Sequence, residues 1–401
     1  MKGILINMEI CTKCTGCMCC YNSCPKNAIT IIQDKKGFYI PKIDKEKCIN
    51  CDLCKKLCPQ NSNIEKNEPK EVIASWSKDK EIREKSSSGG LAYLISKHIL
   101  KNNGVVYGVC FDQSFKAQHE RITRIEDLYK IQGSKYVQSY VGNSLEKVKQ
   151  DLEVNKTVLF TGTACQIAGL KSYLKKEYSN LYTIDILCHG IPSPRIFEEY
   201  LISQNKESIK SINFRLKQPS WTKYSIKIDY KNKKYIKSNF KDKYLRAFLK
   251  DYITNECCSS CKYTGKERVS DITLADFWGY VSEKYKYRNT EKGISLVLIN
   301  NSKGKDLFNR INDEIIFIEK DFEEAALGNQ CLRKPFEKNK KYEEFWEDYF
   351  KNDFDFVANK YFTPDRLTLK RKVSLFFNNY AFIIPKKIRR KMIEMRRDLK
   401  R

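Results

Sequence analysis

No run of apolar residues in this 401-residue chain reaches the roughly 18–20 positions that a membrane span needs. The longest candidate, VSLFFNNYAFIIP at 373–385, is short and is interrupted by Asn378 and Asn379. The opening residues, MKGILINMEIC, lack the apolar centre of a secretory leader, so a cytoplasmic location is expected. Acidic residues are few beside basic ones: 49 Asp and Glu against 75 Lys and Arg. The excess is uneven. Residues 1–67 hold eleven lysines against six acids, and residues 366–401 hold thirteen Lys or Arg against Glu394 and Asp398. Basic surfaces attract acidic proteins, anionic cofactors, anionic membrane or nucleic acid. No nucleic-acid motif accompanies the charge, which makes nucleic acid the least favoured of these. The stretch KKIRRKMIEMRRDLKR at 386–401 reads either as a basic amphipathic helix drawn to the inner face of an anionic membrane or as a solvated tail.

Cysteine is abundant, with seventeen in the chain. Thirteen fall in three short stretches, many at C-x2-C spacing, which is the habit of metal proteins rather than of disulfide frameworks. The first run is Cys14, Cys17, Cys20, Cys24 followed by Pro25; the second is Cys48, Cys51, Cys54, Cys58 followed by Pro59. Both match the spacing of bacterial two-cluster ferredoxins, in which the fourth cysteine of each run ligates the other cluster. The expected 4Fe–4S ligand sets are therefore Cys14, Cys17, Cys20, Cys58 and Cys48, Cys51, Cys54, Cys24. Three thiolates on one tight loop wrap three corners of a cube, and proline turns the chain toward the partner cluster. The intervening AITIIQDKKGFYIPKID reads as a β-hairpin turning at Gly37. Structural zinc also uses C-x2-C pairs, but it rarely needs four cysteines in a row closed by proline, and here that pattern occurs twice. Cys11 and Cys19 fall outside the ligand spacing, one as a near-surface thiol and the other as a loop residue.

Beyond a polar connection at 67–85 with one short strand near Val72–Trp76, SSSGGLAYLISKHILKNNG reads as a helix. Ser87 or Ser88 would cap it, and Leu91, Leu94, Ile95 and Ile99 would face the core. Its Ser/Gly-rich start suits either phosphate binding or plain capping. His98 lies on the apolar stripe and reads as a core histidine. Two strand-to-helix units follow, TVLFTGTACQIAGLKSYLKK and LYTIDILCHGIPSPRIFEEYL, which predict parallel strands with crossover helices. Cys165 and Cys188 fall just past strand carboxyl ends, where open α/β sheets place ligands. Cys258 and Cys261 make half of a cubane site; together with Cys165 and Cys188 they form a third cluster, a zinc site or a set of plain buried thiols. Cys110 reads as a core residue, and Cys331 has no assignment.

Six stretches in order are SSSGG (86–90), GSKYVQS (133–139), TGTACQIAGL (161–170), DILCHGIPSP (185–194), FRLKQPSW (214–221) and CSSCKYTGKERVSDITLADFWG (258–279). Together they resemble the coenzyme F-420 hydrogenase/dehydrogenase beta-subunit family over roughly residues 70–335. Ala164 and Ala275 depart from its usual Pro and Gly, which touches turn rigidity but removes no thiolate and no charge. The resemblance implies FAD and an iron–sulfur cluster, the latter on Cys165, Cys188, Cys258 and Cys261. It implies flavin-phosphate contacts at Ser88, Gly89 and Gly90, and further pocket residues at Lys135, Tyr136, Gln138, Gly162 and Thr163. Arg215, Lys217 and Trp221 would reach an anionic or aromatic cofactor or substrate, with His189 or Asp276 assisting proton transfer.

The expected architecture is α/β: a ferredoxin-like α+β module (1–66), a linker (67–85), a mainly parallel α/β flavin domain (86–335) and a basic C-terminal extension (336–401). The expected function is that of an iron–sulfur flavoprotein oxidoreductase linking an acidic donor such as a free ferredoxin to an unidentified small-molecule or cofactor substrate, in either direction. Its rival is a non-catalytic electron-transfer subunit serving a separate catalytic partner.

Overall fold

The computed structural model describes residues 13–280 and 290–363. Cys11 and the basic 386–401 stretch lie outside these residues. The N-terminal module holds helix α1 (Cys19–Ser23), hairpin strands β1 (Ile29–Gln33) and β2 (Tyr39–Ile43), and helix α2 (Leu53–Lys56). The strands pair antiparallel about Gly37, as the sequence predicts. Strand β3 (Glu71–Ser77) and helices α3 (Lys80–Lys85) and α4 (Leu91–Lys101) come next. They are followed by β4 (Val105–Phe111), β5 (Ala117–Ile122), α5 (Ser144–Glu153), β6 (Val158–Thr163), α6 (Ala164–Leu174), β7 (Leu181–Ile186) and α7 (Pro194–Ser203). Then come β8 (Ile209–Leu216), β9 (Ser225–Tyr230), β10 (Lys234–Ser238), α8 (Lys243–Leu249), β11 (Ile272–Asp276), β12 (Ser295–Ile299), α9 (Ser302–Asn309), β13 (Ile315–Glu319) and α10 (Phe322–Gly328). Helices α11 (Tyr342–Lys351) and α12 (Phe354–Tyr361) close the described chain.

One eight-stranded sheet, in the order β13-β3-β12-β11-β7-β6-β4-β5, organises the body. Its centre is parallel (β11, β7, β6, β4), because crossover helices return each strand the same way round. Its flanks, β13-β3-β12 on one side and β5 on the other, pair antiparallel. The sheet is thus mixed, parallel only where the two βα units predicted it. Residues 67–85 are more than a connection, since β3 inserts between β12 and β13 and is buried along almost its whole length. Residues 336–363 likewise belong to the body: Phe345, Trp346, Val357 and Phe362 are fully buried in one aromatic-rich core.

The expected cap of α4 differs. Gly90, at positive φ, takes the N-cap position and supplies no side-chain bond. Ser87 instead accepts from the Ser134 backbone N–H at 2.8 Å, and Ser88 donates to Ile294 O at 2.7 Å. The predicted stripe of Leu91, Leu94, Ile95 and Ile99 is buried, while His98 is only half-buried. Cys19 is no loop residue: it opens α1, lies 1 % exposed, and its thiol donates to Leu57 O.

The module is seated on the body by its hairpin turn. Arg195 donates to the Lys35 and Asp34 carbonyls, Ser193 to that of Lys36, and a Cβ on Gly37 would fall 2.3 Å from Arg195 Cβ. Only a glycine turn comes this close. Phe38 is buried in the body's aromatic core, and Lys36 lies over the Tyr342 ring at 4.6 Å.

Candidate functional site

Cys58, from the second run, is near enough to Cys20 to act on it electrostatically, as are Cys17 and Cys14 of the first, while Cys24, from the first run, acts likewise on Cys54 together with Cys48. Burial pushes the Cys17 and Cys20 thiols well up, and the neighbouring sulfurs push the same way. Thiolates crowded in so little water repel one another, and a multi-iron cation is what offsets that repulsion. Among the described residues no three His, Cys, Asp or Glu side chains meet as tightly as a single metal ion requires. A cubane does not ask for this, since its thiolates sit on separate iron corners. The donor set fits the cubane.

A third group forms where the sheet's parallel strands end. Cys165 lies in the first turn of α6, directly after β6; Cys188 lies two residues past β7; Cys258 and Cys261 come from a short turn before β11. The four line one cavity, with Thr163, His189 and Tyr263 also in its wall. Burial raises the Cys165 and Cys188 thiols, and the other members add to the rise. Thr163 and Gln166 form a capping box on α6, and the Thr163 hydroxyl lies 3.1 Å from Cys165 Sγ. The Tyr263 N–H points at Cys261 Sγ, 3.4 Å away. The loop that carries Cys261 and Tyr263 is locked by Arg268, which donates to Tyr263 O at 2.6 Å and pairs with the fully buried Asp185 of β7. Ser270 and Thr273 donate to the same carboxylate.

This third group lies near the first: Cys165 is close enough to act electrostatically on Cys17, as is Cys14 on Cys257. A Cβ on Gly169 of α6 would stand 2.8 Å from Cys17 Cβ, so glycine there sets the approach of module to body. Tyr263 lies among Cys165, Cys17, Cys261 and Cys58, and its hydroxyl donates to Pro59 O at 3.3 Å.

The residues expected around a flavin divide into two places. Ser88, Gly89 and Gly90 lead into α4, whose first turn has no side-chain cap. A Cβ on Gly89 would fall 2.4 Å from Ser75 O. Lys217 donates to the carbonyls of Arg83, Ser88 and Lys292, and burial lowers its pKa to about 7. Arg215 holds Asp276 at 2.7 Å, donates to the Tyr136 hydroxyl at 3.0 Å, and reaches Ser87 O at 3.4 Å. Its Nε is buried with no partner among the described residues. Trp221 Nε1 donates to Asp276 at 2.8 Å, and its ring stacks on Trp278 with centroids 4.8 Å apart. Asp276 is thus spent as an anchor for Arg215 and Trp221. An uncapped helix start and an orphaned guanidinium nitrogen fit an anionic cofactor such as a flavin diphosphate.

Thr163 lies instead at the cysteine cavity, and Gly162, one residue earlier on β6, faces Gln166 and Phe160. Gln138 belongs to the seam: its amide oxygen accepts from Tyr39 N at 2.8 Å, binding module to body. Lys135 is turned under the 130–133 turn, donating to three carbonyls there, and burial lowers its pKa to about 7. His189 lies in the wall of the cysteine cavity, with Nε2 2.7 Å from Asp251. Burial alone would lower the His189 pKa, but Asp251 and Cys331 lift it to about 9. Phe248 joins the two places, with its ring 5.1 Å from Tyr136 and 5.5 Å from His189. Sequence reasoning missed Tyr263, Arg268 and Asp185, although all three stand inside motifs that were noticed for other residues.

Three family models match along the chain. Residues 13–62 match a 4Fe-4S dicluster domain, 72–146 the N-terminal part of the coenzyme F420 hydrogenase/dehydrogenase beta subunit, and 155–325 its C terminus. The chain belongs to the coenzyme F420 hydrogenase/dehydrogenase beta-subunit family. It is an iron–sulfur electron-transfer member, with a two-cluster module ahead of the family body. No curated protein matches it. Among solved structures it is similar to a chain of the xenon-derivatised F420-reducing NiFe hydrogenase complex from Methanosarcina barkeri, with 16% identity and a TM-score of 0.45. That alignment covers 72% of this chain and 94% of the other. Among the described residues no helix is long and apolar enough to cross a membrane.

Proposed function

We propose that this family member is a flavin-dependent oxidoreductase that exchanges electrons between a one-electron carrier and a small substrate. The observation that carries the reading is the close packing of α6, the helix whose first turn holds Cys165, on Cys17 of the module at Gly169. In this reading Cys165, Cys188, Cys258 and Cys261 hold a third cubane, and Ser88–Gly90 with Arg215 hold the anionic part of FAD. Bound there, the cubanes supply one-electron carriers and the flavin supplies the step between one- and two-electron chemistry. The chain's own work is placement. Arg268 with Asp185 fixes the Cys261 loop, Gly169 sets the approach of module to body, and Asp276 keeps Arg215 and Trp221 aligned. Phe248 keeps Tyr136 and His189 within ring contact of one side chain, so the two places lie a single residue apart.

The electron carrier would dock at the outer cysteine loop, where Lys45, Lys47, Lys55 and Lys56 are exposed, and an acidic protein such as a ferredoxin has the matching charge. Anaerobic purification with iron, sulfide and flavin counts tests the reading. Roughly twelve irons with one FAD per chain would uphold it, and roughly eight irons without flavin would leave a transfer subunit that serves a separate enzyme. Turnover by the purified chain alone, with reduced dye as donor, separates the same two outcomes.

A further inference from the structure

Residues 227–243 carry seven lysines, no arginine and two aspartates. Both aspartates are already engaged. Asp229 pairs with Lys227 at 2.8 Å, and Asp242 is fully buried, accepting from Tyr200 and Tyr235. That leaves Lys231, Lys233, Lys234, Lys237, Lys241 and Lys243, none of which pairs with a carboxylate among the described residues. Lys231 and Lys233 lie in the β9–β10 turn, Lys234 and Lys237 on strand β10 at the outer edge of the three-stranded sheet β10-β9-β8, Lys241 on the turn that follows, and Lys243 at the start of α8. In the same stretch Ile236 is 46% exposed and Phe240 is 54% exposed. Tyr235 turns toward the aromatic core, so the pleat sends Ile236 outward, beside Lys227 of the paired strand.

Lysine on an edge strand guards against stray strand pairing. That need explains neither two exposed apolar side chains nor the lysines beyond the strand. The described chain also ends here. Arg246 of α8 donates to Phe240 O at 3.1 Å, to Phe362 O at 2.7 Å and to Thr363 O at 2.5 Å. Thr363, the last described residue, therefore stands at the border of the same patch, and in the sequence it is followed by thirteen Lys or Arg against three acids. On α12 the one carboxylate is Asp355, which is exposed.

We propose that the β9–β10 hairpin and the turn at Phe240 form a docking face for an anionic lipid bilayer. Lysine ammoniums are point charges on flexible stems, which suits a diffuse anionic plane; a built phosphate site would favour the fixed fork of arginine. Exposed Ile236 and Phe240 among the lysines supply the apolar contact that lets a charged surface enter the headgroup boundary. The face lies outside the cysteine and flavin sites, so it does not depend on the function proposed above.

The test uses the full-length, cluster-loaded protein and sedimentation with vesicles of phosphatidylcholine, alone or with phosphatidylglycerol. Binding is expected only with the anionic lipid, and it should weaken as salt rises. The variant K231E/K233E/K234E/K237E, with its cluster absorbance unchanged, should bind at least about tenfold more weakly. Phe240→Trp should be quenched by brominated acyl chains in anionic vesicles. Unchanged binding by the four-glutamate variant, or an unquenched Trp at 240 in bound protein, would overturn the proposal. So would duplex DNA that strips the protein from vesicles at equal phosphate, since that would mark the face as one for nucleic acid.

Discussion

The two cysteine runs of the module have the same spacing and meet different surroundings. The inner set, Cys14, Cys17, Cys20 and Cys58, lies against α6 and Tyr263, with Cys17 within electrostatic reach of Cys165. In the outer set, Cys48, Cys51, Cys54 and Cys24, the first three lie on the segment leading into and through α2, where Cys51, Ile49 and four lysines are exposed. Burial raises Cys17 and Cys20 far more than Cys54. Spacing chooses the kind of cluster, while packing decides whether a site faces a carrier or the interior of the enzyme. Solvent exposure and hydrogen bonds to sulfur also tune potential, so identical motifs need not hold identical clusters.

The comparison breaks most sharply if one set is removed at a time. Cys20→Ala should cost about four irons and stop reduction of the interior acceptor, although the outer cluster still takes electrons from dye. Cys51→Ala should cost the same iron yet leave the interior reducible by small dyes, through the inner cluster. Equal loss of interior reduction in both variants would refute the inner and outer roles. Next comes Arg268→Met, which leaves Asp185 buried without its partner and should lower stability by about 3–5 kcal/mol in anaerobic thermal unfolding. Adding Asp185→Leu should restore much of that loss. A deficit that persists would mean the pair matters through loop geometry rather than charge.

Gly169→Ala tests the seam between the two halves. The added methyl would meet Cys17 Cβ at 2.8 Å, and overpacking of this kind costs about 1–3 kcal/mol. The effect should fall on the inner set alone: altered magnetic coupling between the inner cluster and the third cubane proposed above, with the outer cluster's signal unchanged. A spectrum identical to that of the parent protein would show that the helix yields there.

How much of this was legible in the sequence depends on the distance over which each feature is encoded. The hairpin at Gly37 and the two βα units are written in local spacing, and the structure has them where the pattern placed them; the cysteine runs are as local, and the 4Fe-4S dicluster match falls on them. The Ser87 and Ser88 cap was misread because Gly90, with its positive φ, moves the helix start past both serines. Gln138 looked like a pocket residue until its amide met Tyr39 N, 99 positions away. Arg268 and Asp185 lie 83 positions apart, and no local pattern says that one neutralises the other. The linker at 67–85 was misjudged for a similar reason, because a short apolar strand does not announce which sheet it will enter.

The smallest effect belongs to the outer loop, and it sharpens the comparison most economically. Lys47 and Lys55 partly pair with Asp44 and Asp52 at 3.4 and 2.8 Å, in exposed positions where such pairs are weak. Their charge therefore remains available to an approaching acidic carrier. Reversing Lys45, Lys47, Lys55 and Lys56 to Glu should slow reduction by a ferredoxin about tenfold at low salt, through the association rate. The deficit should shrink as the ionic strength rises past 0.1 M, where the screening length is about 10 Å. Reduction by an uncharged dye should be unaffected, because the variant changes how a partner arrives and not what the inner thiols hold. Unchanged kinetics with ferredoxin at low salt would show that this carrier approaches another face, and the exposed cysteine loop would then need a different partner.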